Sequence, residues 1–170
     1  MKEVLIVIDM QKDFLTGALG NADTAAVTEK VAKKIKAERE RGVEVIFTRD
    51  THQENYLSTQ EGKRLPVVHC IENTEGWQIE DGLYLLGEKV FDKPTFGSIE
   101  LAEYIRDKKY EKVTLVGVCT DICVVSNALL IKAYCPEITV AVDKECCAGV
   151  TRESHEAALK TMSACQVEVL

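Results

Sequence analysis

The sequence has 170 residues, of which 46% are hydrophobic and 29% are charged, and its formal net charge is −7. An acidic balance with no local basic stripe argues against general binding to nucleic acid or to an anionic membrane. A chain of this length is expected to form one globular domain, residues 1–170. No apolar run approaches the ~20 residues that a membrane span needs, and the first apolar run is too short for a signal peptide, so no membrane partner is expected.

Apolar segments alternate with segments of helical spacing in the first half of the chain. Val4–Ile8 is a continuous apolar run typical of a strand buried on both faces, and Val43–Thr48 is predicted to be a second buried strand. Between them, residues 24–41 place apolar side chains at helical spacing among charges, and Gly42 ends the pattern. Residues 49–88 are polar and lack strong periodicity, which in a compact domain usually indicates a functional segment.

The second half of the chain continues the alternation of strand and helix. Ser98 is a candidate N-cap for the first helix there, because its hydroxyl can accept a backbone N–H. The order of elements predicts an α/β fold with a mostly parallel sheet and helices on both faces. Strands are predicted at Lys89–Phe91, Val113–Val116, Ile138–Val142 and Val167–Val169, and helices at Ser98–Lys108, Asp121–Ala133 and Thr151–Ala164.

Three side chains with complementary chemistry follow different predicted strands, where the active sites of parallel sheets lie. Asp9 follows the first strand, Lys93 the third, and Cys123 lies where the fourth strand meets its helix. At such a junction, backbone N–H groups and the helix dipole can lower the pKa of a thiol and bind an oxyanion. Asp9 could act as base and acid, and Lys93 could favour the thiolate. The alternative is a buried structural thiol, a turn cap and a surface lysine, but the joint placement favours nucleophilic catalysis.

A second set of candidates lies in the long polar segment. Asp50 and His52 follow the second strand with alternate spacing, and His69 ends a short apolar stretch. One carboxylate and two imidazoles suit a divalent transition metal with open positions, and Glu61 could add a second carboxylate. The alternative is a solvated polar loop. The third histidine, His155, stands in a polar helical turn, and we expect it on the surface.

The seven cysteines are odd in number and irregularly spaced. Without an export signal, this usage is typical of reduced thiols in a cytoplasmic protein. The lack of a Cys-x-x-Cys pair argues against a zinc ribbon or a thioredoxin-type motif. Cys119 and Cys123 stand four residues apart, which leaves a redox pair on one helical turn as an alternative.

Three aromatic residues, Phe14, Trp77 and Phe96, fall in predicted loops. An aromatic ring beside a catalytic strand end can stack on a flat substrate, which makes Phe14 a candidate substrate contact. The alternative is that these rings close the core.

Four parts of the sequence resemble motifs of the isochorismatase-like cysteine hydrolases, in the family's order. Residues 8–14 (IDMQKDF) resemble the opening D-x-Q-x-D-F, and residues 117–124 (GVCTDICV) resemble the nucleophile motif G-V-x-T-D-x-C-V. Residues 91–94 (FDKP) resemble the segment with the catalytic lysine. Residues 48–52 (TRDTH), together with residues 69–70, resemble the metal-binding D-x-H…H of the nicotinamidase branch.

This resemblance implies a three-layer α/β/α sandwich around a six-stranded, mostly parallel sheet. It implies a catalytic triad of Asp9, Lys93 and Cys123, with an oxyanion held by the backbone amides of Cys119 and Cys123. It also implies a cis peptide bond between Val118 and Cys119 that directs backbone N–H groups toward the oxyanion. Members of the family are often dimers or tetramers, so a homo-oligomer is expected.

The resemblance also implies a metal and a reaction. Asp50, His52 and His69 would hold Zn, Mn or Fe, with Glu61 as a fourth ligand seen in some members, and no organic cofactor is expected. The implied reaction is hydrolysis of the small-molecule amide nicotinamide to nicotinate and ammonia through a Cys thioester, a step of NAD salvage. The metal would bind the pyridine nitrogen, and Phe14 matches the family's stacking position.

One segment departs from the nicotinamidase pattern and leaves the substrate open. Nicotinamidases commonly carry W-P-x-H-C before the second histidine, whereas residues 65–70 read LPVVHC, without the Trp and with one additional residue. The alternatives are a related hydrolase of another small amide, carbamoyl or ureido compound, and a non-catalytic binding module on the same fold.

Overall fold

A six-stranded parallel sheet forms the centre of the computed structural model, which describes residues 1–170. Neighbouring strands pair in parallel throughout, in the spatial order β3-β2-β1-β4-β5-β6. This confirms the predicted α/β fold. The strands are β1 (Glu3–Ile8), β2 (Glu44–Asp50), β3 (Lys89–Lys93), β4 (Lys112–Val118), β5 (Thr139–Ala148) and β6 (Glu168–Val169).

Helices cover both faces of this sheet. Successive residues of β1 point to opposite faces, so Leu5 and Val7 join one hydrophobic cluster while Ile6 and Ile8 join the other. None of the helices is long and apolar enough to cross a bilayer. The helices are α1 (Lys12–Leu15), α2 (Ala22–Glu40), α3 (Gln60–Arg64), α4 (Ile99–Lys108), α5 (Val125–Tyr134) and α6 (Arg152–Ala164), with a 3₁₀ turn at Tyr56–Ser58 and a π-helical turn at Thr120–Val124.

The predicted start of α4 agrees with the structure, whereas α2 begins at Ala22, two residues before the predicted start, with Asn21 as its N-cap. Ser98 caps α4, since its hydroxyl accepts the N–H of Leu101 at 3.1 Å. Three short helical segments, α1, the 3₁₀ turn and α3, were not expected, because one or two turns cannot display a helical repeat. β5 extends to Ala148, past the predicted end at Val142. The middle of this strand is polar, so the sequence did not indicate that β5 pairs again with the end of β4.

The end of β4 requires glycine. Gly117 has φ +118°, and a Cβ there would lie 2.1 Å from the carbonyl oxygen of Ile8. The backbone of β4 therefore approaches the end of β1 more closely than any side chain would permit. This approach brings the turn that contains Cys123 next to Asp9.

Candidate active site

The carboxyl ends of three strands bring Asp9, Lys93 and Cys123 into one buried cluster. The Lys93 Nζ lies 2.6 Å from Oδ2 of Asp9 and 3.4 Å from Sγ of Cys123. The three residues are 0%, 1% and 4% exposed, respectively. The lysine is therefore the centre of the group, in contact with both a carboxylate and a thiol.

Thr48 orients the carboxylate of Asp9. Its hydroxyl donates to Oδ1 of Asp9 at 2.6 Å and accepts the backbone N–H of Asp9 at 3.2 Å. Oδ2 of Asp9 is buried and receives no well-directed hydrogen bond, although it faces the Lys93 ammonium. Sequence reasoning missed Thr48, and the only available signal was a single hydroxyl directly after the apolar stretch of its strand.

Burial controls the protonation of this cluster. It raises the pKa of the Asp9 carboxyl, with the charge of Lys93 acting in the opposite direction. It also raises the pKa of the Cys123 thiol well above its ordinary value, and the nearby charge of Asp9 adds to that effect. The lowering that the sequence led us to expect for this thiol is therefore outweighed. Burial by itself would lower the pKa of Lys93, but the charges of Asp9 and Cys123 raise it, so Lys93 stays protonated.

Lys93 also joins this cluster to a second one. Its Nζ lies 3.5 Å from Oδ1 of Asp50, the last residue of β2, and donates to the carbonyl of Thr95 at 3.2 Å. The two groups that the sequence predicted separately are therefore adjacent and share one cation.

Asp50, His52, Glu61 and His69 form the second cluster, in which one ligand atom from each lies within 4.8 Å of the others. Nε2 of His52 lies 2.9 Å from Oδ2 of Asp50, and Nε2 of His69 lies 3.4 Å from the same oxygen. Oε1 of Glu61 is 3.5 Å from the His52 nitrogen. The predicted metal ligands thus converge, and all except Glu61 are buried.

The donor set fits a divalent transition metal. Nδ1 of His69 lies 2.7 Å from the Val67 carbonyl, so we assign the proton to Nδ1, which leaves Nε2 free to bind a metal. Oδ1 of Asp50 is buried without a hydrogen bond and faces the Lys93 ammonium at 3.5 Å, whereas Oδ2 faces both imidazoles. Two carboxylates and two imidazoles form the nitrogen and oxygen set that Zn, Mn and Fe accept.

Opposing effects set the ionisation of the two carboxylates. Burial alone would raise the pKa of Asp50, but the neighbouring imidazoles of His52 and His69 and the charge of Lys93 hold it well below its usual range. Burial and the charge of Asp50 raise the pKa of Glu61. Asp50 is therefore anionic, a form that can bind a cation.

The aromatic candidates have different surroundings. Phe14 is buried, and its ring packs edge-on against His69 with 5.6 Å between centroids. Trp77 is buried beneath the guanidinium of Arg49, 3.6 Å from its ring centre, whereas Phe96 is exposed. Of the three, Phe14 is the ring that contacts a candidate metal ligand.

The expectation that His155 lies free on the surface is wrong. It is half-buried, and its Nδ1 lies 2.7 Å from the hydroxyl of Thr120, in the turn that leads to Cys123. The first turn of α6 packs against this turn, a contact between residues 35 positions apart that local polarity does not reveal.

The loop before the thiol has the backbone that the resemblance implies. The peptide bond between Val118 and Cys119 is cis, and the N–H of Cys119 donates to no acceptor within the chain. The side chains of Cys119 and Cys123 belong to hydrophobic clusters on opposite faces of the sheet, and all seven cysteines are free thiols. This separation argues against a redox pair.

The sequence and the structure match one family of proteins. Residues 3–170 match the family model described as Isochorismatase domain. The chain is 27% identical over 206 residues to the nicotinamidase of Schizosaccharomyces pombe, which covers 98% of this chain and 91% of that protein. The pyrazinamidase of Pyrococcus horikoshii in complex with zinc is similar in structure, with a TM-score of 0.86, 30% identity and coverage of 100% and 99% of the two chains. The nicotinamidase of Bacillus subtilis has a TM-score of 0.85 and 26% identity over 99% of each chain.

Proposed function

Because this chain belongs to the isochorismatase family, we propose that it hydrolyses nicotinamide to nicotinate and ammonia with Cys123 as the nucleophile. More broadly, the chain is a hydrolase that acts on the C–N bonds of linear amides. The observation that supports the proposal most strongly is Lys93, whose ammonium contacts Asp9, Cys123 and Asp50 at once. We further propose that the enzyme is cytoplasmic, homo-oligomeric and part of NAD salvage.

The first half of the reaction transfers the acyl group to sulfur. Oδ2 of Asp9, which lacks a well-directed hydrogen bond, accepts the thiol proton of Cys123. The thiolate attacks the carboxamide carbon, and the backbone amides of Cys119 and Cys123 hold the oxyanion. Asp9 returns the proton to the nitrogen, ammonia leaves, and a thioester remains. The raised pKa of Asp9 suits this exchange, because a carboxyl that holds its proton more tightly is a stronger base toward the thiol.

The second half of the reaction returns the enzyme to its starting state. Asp9 accepts a proton from water, whose oxygen attacks the thioester carbon. The carbon–sulfur bond breaks, the proton returns from Asp9 to Cys123, and nicotinic acid leaves and ionises to nicotinate in water. Lys93 remains an ammonium throughout and stabilises whichever of the two groups is anionic.

Asp50, His52 and His69, with Glu61, would hold the metal. When bound, a divalent ion supplies a Lewis-acid site for the pyridine nitrogen of the substrate. Phe14, packed against His69, would stack on the pyridine ring and help to aim the carboxamide at Cys123.

One observation favours a second substrate class. Leu65 and Val68 are exposed in the segment where nicotinamidases commonly carry Trp, so this side of the site lacks one aromatic surface. Another small amide, carbamoyl or ureido compound is the alternative substrate. The buried ion pair between Lys93 and Asp9 argues against a non-catalytic binding module, since an unused charge pair in the interior confers little stability.

Removing the metal is expected to lower nicotinamide hydrolysis by about 100-fold or more, and adding Zn²⁺ or Mn²⁺ should restore it. The measurement is ammonia release by the purified protein before chelation, after chelation and after metal addition, with elemental analysis of each sample.

Benzamide is the matched control substrate, because it lacks the pyridine nitrogen. Its turnover should be low and insensitive to the metal. Bound metal without nicotinamide turnover would contradict the proposed substrate and favour the second class. A protein with no bound metal and no turnover would contradict the metal centre itself.

A further inference from the structure

Gln11, a residue outside the proposed chemistry, makes three hydrogen bonds in the interior. It is fully buried, directly before α1, at the carboxyl end of β1. Its Oε1 accepts the backbone N–H of Asp50 at 2.7 Å, and its Nε2 donates to the backbone carbonyl of Asp50 at 2.9 Å. Nε2 also donates to the carbonyl of Trp77 at 2.9 Å. One side-chain amide thus binds both backbone polar groups of Asp50.

These contacts fix the position of a candidate metal ligand. Asp50 ends β2, and the next residue, Thr51, continues the pairing by donating its N–H to the carbonyl of Lys93. The bond from Gln11 to Trp77 holds the following loop, in which the Trp77 indole donates to the Thr51 hydroxyl at 2.9 Å. The backbone of Asp50 is therefore held directly by Gln11, and the next residue, Thr51, is held by Lys93 and Trp77.

The segment that contains Gln11 also holds the backbone beside His69, another candidate metal ligand. Oδ2 of Asp13 accepts the N–H of Cys70 at 2.8 Å, and Cys70 follows His69 with φ +47°. Gly76 leaves room for this carboxylate, since a Cβ there would lie 2.2 Å from Oδ2 of Asp13. Gln11 and Asp13, which follow Asp9 in the chain, therefore hold the backbone of Asp50 and the backbone next to His69.

We propose that Gln11 is a positioning residue that sets the metal affinity of the Asp50, His52 and His69 centre by fixing the backbone of Asp50. The inference rests on the metal centre of the proposed function. Residues that orient metal ligands from outside typically change metal affinity by about 10- to 100-fold when they are lost. We expect a loss of that size when the amide of Gln11 is removed.

The test compares two buried amides of equal connectivity. Asn127 is also fully buried with three hydrogen bonds, but it holds the carbonyls of Cys123 and Phe96 and the N–H of Ser98. It therefore supports the nucleophile and not the metal ligands. Gln11→Met and Asn127→Leu each remove a buried amide of similar size, so a general loss of packing should affect both variants alike.

The measurement is the dissociation constant of Zn²⁺ alone, by competition with a chromophoric chelator, in wild type and both variants. The visible spectrum of each Co²⁺-substituted protein reports the coordination geometry independently of activity. We expect Gln11→Met to weaken Zn²⁺ binding by about 10- to 100-fold and to change the Co²⁺ spectrum. Asn127→Leu should retain the wild-type values of both. If Gln11→Met does not fold, Gln11→Asn serves, since its shorter side chain withdraws the amide from Asp50 without adding a charge beside the metal ligands.

Wild-type Zn²⁺ affinity and an unchanged Co²⁺ spectrum in a folded Gln11 variant would overturn the inference. Equal weakening in the Gln11 and Asn127 variants would overturn it as well, because the effect would then be general to buried amides. A wild-type protein that binds neither metal would overturn the proposed metal centre, and the inference with it.

Discussion

Replacement of Cys123 with alanine is expected to lower the rate of amide hydrolysis by about 10⁴-fold or more, because the atom that forms the thioester is removed. Asp9 and Lys93 would keep their contact at 2.6 Å, and the metal ligands lie outside the change. The variant should therefore remain folded and bind as much metal as wild type. Ammonia release under saturating nicotinamide and elemental analysis of the same sample are the two measurements.

A second thiol provides the matched control for this prediction. Cys135 is a buried free thiol of the same hydrophobic cluster as Cys123, at the carboxyl end of α5. Cys135→Ala removes the same atom from the same side of the sheet, away from Lys93, and should keep activity within a few-fold of wild type. An active Cys123→Ala variant would contradict the assignment of the nucleophile.

Replacement of Lys93 with methionine is expected to lower the free energy of unfolding by about 3–5 kcal/mol and to abolish activity. The carboxylates of Asp9 and Asp50 would remain buried in wild-type positions, 2.6 and 3.5 Å from the lost ammonium, and Asp9 would face no other cation. Activity should fall with stability, since thiolate and carboxylate forms would both lose their stabilising partner. Urea unfolding at pH 7 and ammonia release test the two effects.

The pH dependence of this stability loss has a definite sign. Burial already raises the pKa of Asp9 in the folded protein, and loss of the Lys93 charge removes the effect that opposes it. A group whose pKa is higher in the folded than in the unfolded state binds its proton more tightly when folded, so its contribution to stability falls as pH rises. The deficit of Lys93→Met should therefore shrink toward acidic pH.

Lys30→Met is the control for loss of a surface lysine. Its ammonium pairs with Glu145 at 2.9 Å, but both side chains are exposed, so the change should cost less than about 1 kcal/mol. Equal stabilities of the Lys93 and Lys30 variants, or full activity in Lys93→Met, would contradict the central position given to Lys93.

The sequence predicted the parts of the molecule that follow from local pattern. Continuous apolar runs located the strands, and a parallel sheet places residues that follow different strands at one edge, which is why Asp9, Lys93 and Cys123 could be grouped. The metal candidates were grouped by the ligand chemistry of one carboxylate and two imidazoles in the polar segment, although Asp50-x-His52 is a weak pattern without the family resemblance.

The supporting residues could not be predicted in the same way. Thr48 and Gln11 act through hydrogen bonds to residues 39 positions away, and Asn127 reaches Ser98 across 29 positions. Such contacts depend on strand order and on the register between strands, which local composition does not determine. His155 was misplaced for the same reason, since its partner Thr120 lies on a different element.

Detection of a nicotinoyl thioester on Cys123 during turnover would identify this residue as the nucleophile directly. Wild-type enzyme would be quenched in acid during turnover of nicotinamide, and the peptide from Val113 to Lys132 would be fragmented to locate any adduct. This peptide contains both Cys119 and Cys123, so fragmentation is needed to distinguish them. A parallel reaction with hydroxylamine traps the acyl group even when the thioester does not accumulate.

We expect a nicotinoyl group on Cys123, formation of nicotinohydroxamate in place of nicotinate, and loss of both in Cys123→Ala. An adduct on Cys119 would contradict the assignment of the nucleophile. Nicotinate release with neither adduct nor hydroxamate would show direct attack of water on the amide, and would contradict the thioester route.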